Sequence, residues 1–242
     1  MPEVAASIAR LIVHRGDVLV SVQVGMLLTF GYGSNMCFGR MHLRVESLAF
    51  VAVGVLPAFR FVLNKLSKDG SAKGNITPAH GARVFGVVYS LDDADLEALN
   101  RSEGLGDGYI LRDNLDVQNL DGDRWDQPVL VYVADPRYVV EDVWPYGWYK
   151  RHILDGARHH GLPAEYVDWV ASHPEAVDPD RRRDAQERMF PCDRELTEGE
   201  LAGIRATRRQ SPDRLTDYSA PFRRLTASLT KNRTSPQSGR GN

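Results

Sequence analysis

Cysteine is almost missing from this chain, with Cys37 and Cys192 the two present in 242 residues. Neither stands at metal-ligand spacing or within a disulfide framework, which excludes a zinc module and a small disulfide-stapled scaffold and leads us to expect a reducing, cytoplasmic compartment. Long apolar runs are missing as well. The first 25 residues are interrupted by Glu3, Arg10, Arg15 and Asp17, which argues against a signal peptide or membrane helix there, and no other run is long enough to span a bilayer. There is no internal repeat and no glycine-rich nucleotide fingerprint in a strand–turn–helix setting, so no cofactor is expected. His159-His160 does not restore a metal reading, because adjacent helical residues point in different directions and no carboxylate or thiol stands at useful spacing beside them.

What is present is an ordinary globular composition, 43% hydrophobic and 26% charged, enough for a sizeable core in one large domain or two small ones. The net charge of −2 hides an asymmetry. From Arg205 onward there are nine Arg or Lys and two Asp, a charge of +7, which leaves the preceding residues with 21 basic and 30 acidic side chains, a charge of −9. A basic, Ser/Thr/Pro/Gly-rich tail poor in aromatics reads as a disordered, solvated segment over 210–242. Binding of nucleic acid or an anionic surface through it is the weaker reading, and the acidic body opposes it.

Hydrophobic patterning predicts short strands at 26–31, near 47–53 and 58–63, and at 83–90, with a polar Lys/Ser/Gly loop at 64–74. Asp92 or Asp93 starts a helix running to about Arg101, and Gly104 stops it. Strands at 109–118 and 128–134 are joined through Asp121-Gly-Asp, a hairpin signal. A helix from about Trp148 to His160 ends at Gly161-Leu-Pro163, and Ala164 to Ser172 makes another. Residues 178–209 are rich in Arg, Asp and Glu and are expected to be partly helical, with Thr197-Glu-Gly-Glu200 able to cap one helix. The alternating piece Val18-Leu-Val-Ser-Val-Gln-Val24 offers an edge strand. Periodicity alone gives an α+β fold.

The most informative stretch is Met26-Leu-Leu-Thr-Phe-Gly-Tyr-Gly-Ser-Asn-Met36. An apolar strand breaks there at a turn whose glycines permit unusual backbone angles and whose Ser34 and Asn35 bond locally, a geometry able to present N–H groups to an anion. Further on come Phe61-Val-Leu-Asn-Lys-Leu-Ser-Lys-Asp-Gly-Ser-Ala-Lys-Gly-Asn-Ile76, Val84-Phe-Gly-Val-Val-Tyr-Ser-Leu91 and Asp95-Leu-Glu-Ala-Leu-Asn-Arg-Ser-Glu-Gly-Leu-Gly-Asp-Gly-Tyr109. The last is Pro145-Tyr-Gly-Trp-Tyr-Lys-Arg-His-Ile-Leu-Asp-Gly-Ala-Arg-His-His-Gly-Leu-Pro-Ala-Glu-Tyr166. In this order, across roughly Met26 to Val170, they resemble the gamma-glutamylcyclotransferase family. The resemblance implies a cyclotransferase domain over 26–173, followed by a charged extension at 174–209 and the tail at 210–242. Met26 stands where the first matched strand begins, an alternative start of translation that would make 1–25 a non-native extension.

The resemblance implies a small mixed-strand β-barrel with helices packed around it. It also implies an enzyme of lyase or acyltransferase type that cyclises γ-glutamyl amino acids or peptides, glutathione among the candidates, to 5-oxoproline without cofactor or metal. Glu103 matches the family's acid/base glutamate, and it lies where a helix meets the Gly104-Leu-Gly-Asp-Gly108 loop. Thr29, Phe30, Gly31, Tyr32, Gly33, Ser34 and Asn35 match the segment expected to hold the substrate, and Tyr149 the tyrosine expected to contact it. Gly147 stands where many relatives carry Asp. Tyr109 reads as core or pocket wall. Lys65, Lys68 and Lys73 read first as a solvated turn and second as an attractor of anionic substrates. A small-molecule γ-glutamyl substrate is the expected partner, with no membrane; a homodimer stays open. The competing functions are a γ-glutamylamine cyclotransferase and a non-catalytic binding module of the same fold.

Overall fold

The computed structural model describes residues 10–15, 18–23 and 25–209, with side chains from Gly25 to Ile204. The expected disordered tail at 210–242 lies outside the described residues. Two strands, β1 (Arg10–Arg15) and β2 (Val18–Gln23), pair with each other in a sheet of their own, so the alternating piece near Val18 does not extend the main sheet as an edge strand.

The main sheet is built on β3 (Met26–Gly31), which runs as expected, and on two strands far longer than patterning suggests, β4 (Ala49–Leu66) and β5 (Ala72–Asp92). The expected break between 47–53 and 58–63 is a register irregularity between Pro57 and Phe59, with Ala58 at φ 61°, inside one continuous strand. Proline cannot donate a ladder bond, and a bulge is where a strand tolerates it. The predicted loop at 64–74 shrinks to a turn around Gly70 (φ 83°), and Lys65 and Lys73 become register partners in the hairpin.

The other strands are β6 (Tyr109–Arg112), β7 (Gln118–Asn119) and β8 (Val129–Ala134), giving the order β6-β8-β3-β5-β4-β7. Among these strands of the described residues, β3 and β8 make the one parallel pair. The expected hairpin partners β6 and β8 do meet, Tyr109 opposite Ala134, but the Asp121-Gly-Asp turn closes a tight local loop in which Asn119 N–H donates to the Asp123 carbonyl at 2.9 Å. This is a mixed six-stranded sheet in an α+β fold. Its end strands β6 and β7 are not paired with each other among the described residues, so the barrel expected from the resemblance is not seen as a closed ring.

Helices α1 (Phe38–His42), α2 (Leu96–Glu103), α3 (Gly147–His159), α4 (Ala164–Ser172), α5 (Arg181–Glu187) and α6 (Glu198–Arg209) accompany the sheet. In α3, Tyr149, His152, Ile153 and Gly156 are buried at helical spacing and make one face, which is why that segment packs on the core with Phe30, Tyr89 and Val170. Thr197 and Glu200 form the reciprocal cap anticipated for α6, each side chain bonding the other's backbone N–H. The charged segment beyond 174 lies against the domain: Cys37, Phe190, Cys192 and Leu196 form a second small core, and Gly39 N–H donates to the Pro191 carbonyl at 3.2 Å. None of the helices among the described residues is long and apolar enough to cross a membrane.

The two cysteines, expected to be independent, are joined as a disulfide between positions 155 residues apart. Sequence distance gave no hint of the pairing because α1 and the segment after α5 meet only in the folded chain. With the sulfurs paired, cysteine usage no longer points to a reducing compartment. His152 Nδ1 lies 3.9 Å from the Cys192 sulfur, and the ligand atoms of these three residues lie within 4.8 Å of one another, but two sulfurs bonded to each other are not thiolate ligands.

Candidate active site

The end of β3, a short 3-10 turn (Ser34–Met36), the end of α2 and the start of α3 surround a cavity of about 580 Å³. The helical bonds of that turn begin with Met36 N–H donating to the Gly33 carbonyl at 3.0 Å, so the N–H groups of Ser34 and Asn35 stand at its start without an intrahelical partner. Such an end suits an anion.

Glu103 closes α2. Gly104 follows in the left-handed conformation (φ 68°), and Leu105 N–H reaches back to the Asn100 carbonyl at 3.0 Å, the wrap that ends helices at glycine. The Glu103 side chain is 10% exposed. Its Oε1 accepts from Asn35 Nδ2 at 2.8 Å and from Arg44 Nη1 at 2.9 Å, and Arg44 Nη1 also donates to Asn35 Oδ1 at 2.7 Å. Both hydrogen bonds fall on one carboxylate oxygen. Burial and the neighbouring Arg40 lower the Arg44 pKa to about 10, which leaves it cationic at neutral pH.

Tyrosines form much of the wall. Tyr149 accepts from Gly74 N–H at 2.8 Å while Tyr109 donates to the Gly74 carbonyl at 2.7 Å, so the two hold both backbone polar groups of one β5 residue. Only glycine fits there, since a Cβ would lie 2.9 Å from the Phe61 ring. Tyr32 donates to the Tyr132 carbonyl, and Tyr132 donates to Asn100 Oδ1 at 2.7 Å. Burial pushes Tyr32, Tyr109, Tyr132 and Tyr149 all upward, so these are neutral hydroxyls at working pH.

Phe30, Gly31, Tyr32, Gly33, Ser34, Asn35, Glu103 and Tyr149, anticipated from the sequence, all line this cavity, and Tyr109 lines it as the pocket wall expected. Thr29 is placed apart from them. It is buried in β3, and its hydroxyl donates to the Leu130 carbonyl at 3.2 Å. The lysines do not form a solvated turn: Lys65 and Lys73 are buried in β4 and β5, and only Lys68 is open to solvent, ion-paired with Asp107. Lys73 pairs with Asp69 at 2.7 Å and lies 4.5 Å from the Trp148 ring centre, and burial lowers its pKa to about 8.

Sequence reasoning missed Arg40, Arg44, Arg183 and Glu187. Arg40 lies in α1 and Arg44 just past its end, and their four-residue spacing was the available signal. Arg183 and Glu187 belong to α5 in the charged extension, and nothing in their order along the chain places them in a pocket formed some 150 residues earlier. Glu187 pairs with Arg40 and accepts from His152 Nε2 at 3.2 Å; burial opposes its ionisation, but these partners outweigh it and hold it down at about 2.

Residues 83–170 match the AIG2-like family. Gamma-glutamylcyclotransferase of Bos taurus is 29% identical over 144 residues, covering 57% of this chain and 74% of that protein. The Homo sapiens gamma-glutamylcyclotransferase is 29% identical over 149 residues, covering 58% and 75%. The chain is thus distantly homologous to AIG2-like proteins and gamma-glutamylcyclotransferases. The family's fold is shared too: a solved gamma-glutamyl cyclotransferase superposes with TM-score 0.54 at 24% identity over 75% of this chain and 99% of its own. A Homo sapiens crystal structure of an uncharacterized protein does so with TM-score 0.53 at 25% identity, over 74% and 98%. The stretch matched to the AIG2-like family contains Glu103, Tyr109 and Tyr149, whereas the Gly31–Asn35 loop, Arg44 and Lys65 precede it.

Proposed function

We propose that this protein is a gamma-glutamylcyclotransferase that converts γ-glutamyl amino acids or peptides to 5-oxoproline and a free amino acid. The observation that carries the reading is Glu103, a mostly buried carboxylate that faces the cavity with one oxygen fixed by Asn35 and Arg44 and sits beside a loop of unspent N–H groups. In the substrate the α-amino group and the γ-carbonyl belong to one molecule, so holding it folded supplies much of the advantage. Glu103 takes a proton from the α-ammonium. The freed amine attacks the γ-carbonyl carbon, and the carbonyl electrons move to oxygen. The amide C–N bond then breaks as Glu103 passes protons to the leaving nitrogen; two protons leave the attacking nitrogen and two arrive at the departing one.

In this reading the Gly31–Asn35 loop holds the carboxylate of the γ-glutamyl end, close to Glu103, and donors at its edge stabilise the developing oxyanion. Tyr32 and Tyr149 shape the wall as neutral hydroxyls. Residues 26–173 form the catalytic unit, with Arg183 and Glu187 of the following extension contributing to the rim. The test is release of 5-oxoproline, followed by mass spectrometry, over a panel of γ-glutamyl dipeptides, γ-glutamylamines and glutathione. Release from the dipeptides is expected, and none from any member of the panel would refute the reading.

A further inference from the structure

Seven basic residues line the cavity, and six of them have a carboxylate of their own. Arg40 is paired with Glu187, Arg44 with Glu103, Lys68 with Asp107 and Lys73 with Asp69, while Arg101 and Arg183 are paired with Glu97 and Asp178. Lys65 is the exception. It is 7% exposed, yet its ammonium has no ion pair or hydrogen bond among the described residues. It rests 4.8 Å from the centre of the Tyr109 ring and against Gly108, where a Cβ would come within 2.6 Å of Nζ. Burial weakens its hold on its proton, and Asp69, Glu103 and Asp107 act from further off to keep it charged. A buried charge without a partner is expensive, and here the unmet charge faces the cavity.

The proposed reaction says which anion would meet it. A γ-glutamyl amino acid carries two carboxylates and one ammonium, a net charge of −1, whereas a γ-glutamylamine carries one of each. The first carboxylate belongs to the γ-glutamyl end, whose ammonium must reach Glu103, and the N–H groups of the Gly31–Asn35 loop stand beside that residue through Asn35. Arg44 is committed to Glu103 and Asn35. The second carboxylate, on the leaving amino acid, is the one left for Lys65.

We propose that Lys65 is the subsite for the carboxylate of the leaving amino acid, and that it selects γ-glutamyl amino acids over γ-glutamylamines. This rests on the cyclotransferase reading above. A charge-assisted contact of this kind sets a preference of about ten- to a hundredfold in kcat/KM.

The experiment compares γ-glutamylalanine with γ-glutamylethylamide by release of 5-oxoproline, in wild type, Lys65→Met and Lys65→Arg, with thermal unfolding of each. Wild type is expected to prefer γ-glutamylalanine. Lys65→Met keeps the length of the side chain and should lose that preference by about ten- to a hundredfold, chiefly through KM, with Lys65→Arg returning most of it. A wild type without preference overturns the subsite, and that measurement needs no variant. So does an unchanged ratio in Lys65→Met, or an equal loss on both substrates, which would give Lys65 to the γ-glutamyl end or to the fold. No 5-oxoproline from either substrate in wild type would overturn the reaction itself.

Discussion

Glu103 and Arg44 cannot be changed independently. Glu103→Gln still offers an oxygen to Asn35 and Arg44 but cannot exchange protons, so turnover should fall by about two to four orders of magnitude. A residue at a helix end looks from the sequence like one whose replacement leaves stability alone. The Arg44 ion pair changes that, because the amide leaves a mostly buried guanidinium with a weaker partner, and a loss of about 1–3 kcal/mol is expected. Steady-state 5-oxoproline release and urea unfolding on the same protein separate the two effects. A folded variant with near-wild-type turnover would remove Glu103 from the chemistry.

The contact that sets the site at the level of elements is α3 against the turn Ser34–Met36. A Cβ at Gly156 would lie 2.5 Å from the Met36 carbonyl carbon and 2.6 Å from its oxygen, so glycine lets the helix touch the backbone of the turn that carries Asn35. Tyr89 and His160 add hydrogen bonds to the same carbonyl at 3.3 and 3.1 Å. Gly156→Ala has to push the helix or the turn aside. We expect a loss of about 1–3 kcal/mol in chemical denaturation, together with lower turnover, since Asn35 moves with its neighbour. An alanine variant as stable and as active as wild type would show that the turn and helix give way freely.

Across the whole molecule, two features tie distant segments together. Burial lowers His152 and His160 from 6.5 to about 4, so the native state holds both neutral. A base whose folded pKa is depressed binds fewer protons folded than unfolded, so the stability it contributes is complete above 6.5 and drains away as pH falls toward 4. The Arg40–Glu187 pair adds to this at lower pH: Glu187, held at about 2 against an ordinary 4.5, contributes above 4.5 and loses that contribution as pH falls toward 2. The melting temperature should therefore decline from pH 7 to pH 4 and go on declining toward pH 2, and His152→Gln should flatten the upper part of the curve. The Cys37–Cys192 bond closes a loop of 155 residues, and chain entropy sets its contribution at about 5 kcal/mol at most. A reductant, or the paired Cys37→Ala and Cys192→Ala replacements, should lower the melting temperature, with thiol titration reporting the state of the pair. Unchanged melting with both thiols free would show that the packing of Phe190 and Leu196 holds the extension by itself.

Local order along the chain determined much of this protein. An apolar run broken by the Tyr-Gly-Ser-Asn turn located β3 to the residue, the run from Gly161 to Pro163 set the boundary between α3 and α4, and Gly104 ended α2 in the conformation only glycine adopts easily. The motifs from Met26 to Tyr166 single out the loop, Glu103 and Tyr149, which line one cavity. These signals are legible because they depend on neighbours within a few residues. Tertiary structure decided the rest. The join of β4 across Pro57 depends on a partner strand that absorbs a bulge, and the hairpin lysines are buried by distant segments, Lys65 against Gly108 and Tyr109 and Lys73 against Trp148 and Tyr149. The pairing of Arg44 with Glu103, of Arg40 with Glu187 and of Cys37 with Cys192 spans 59, 147 and 155 residues. A contact at such separation costs chain entropy that only the whole core can offset, so no short pattern announces it.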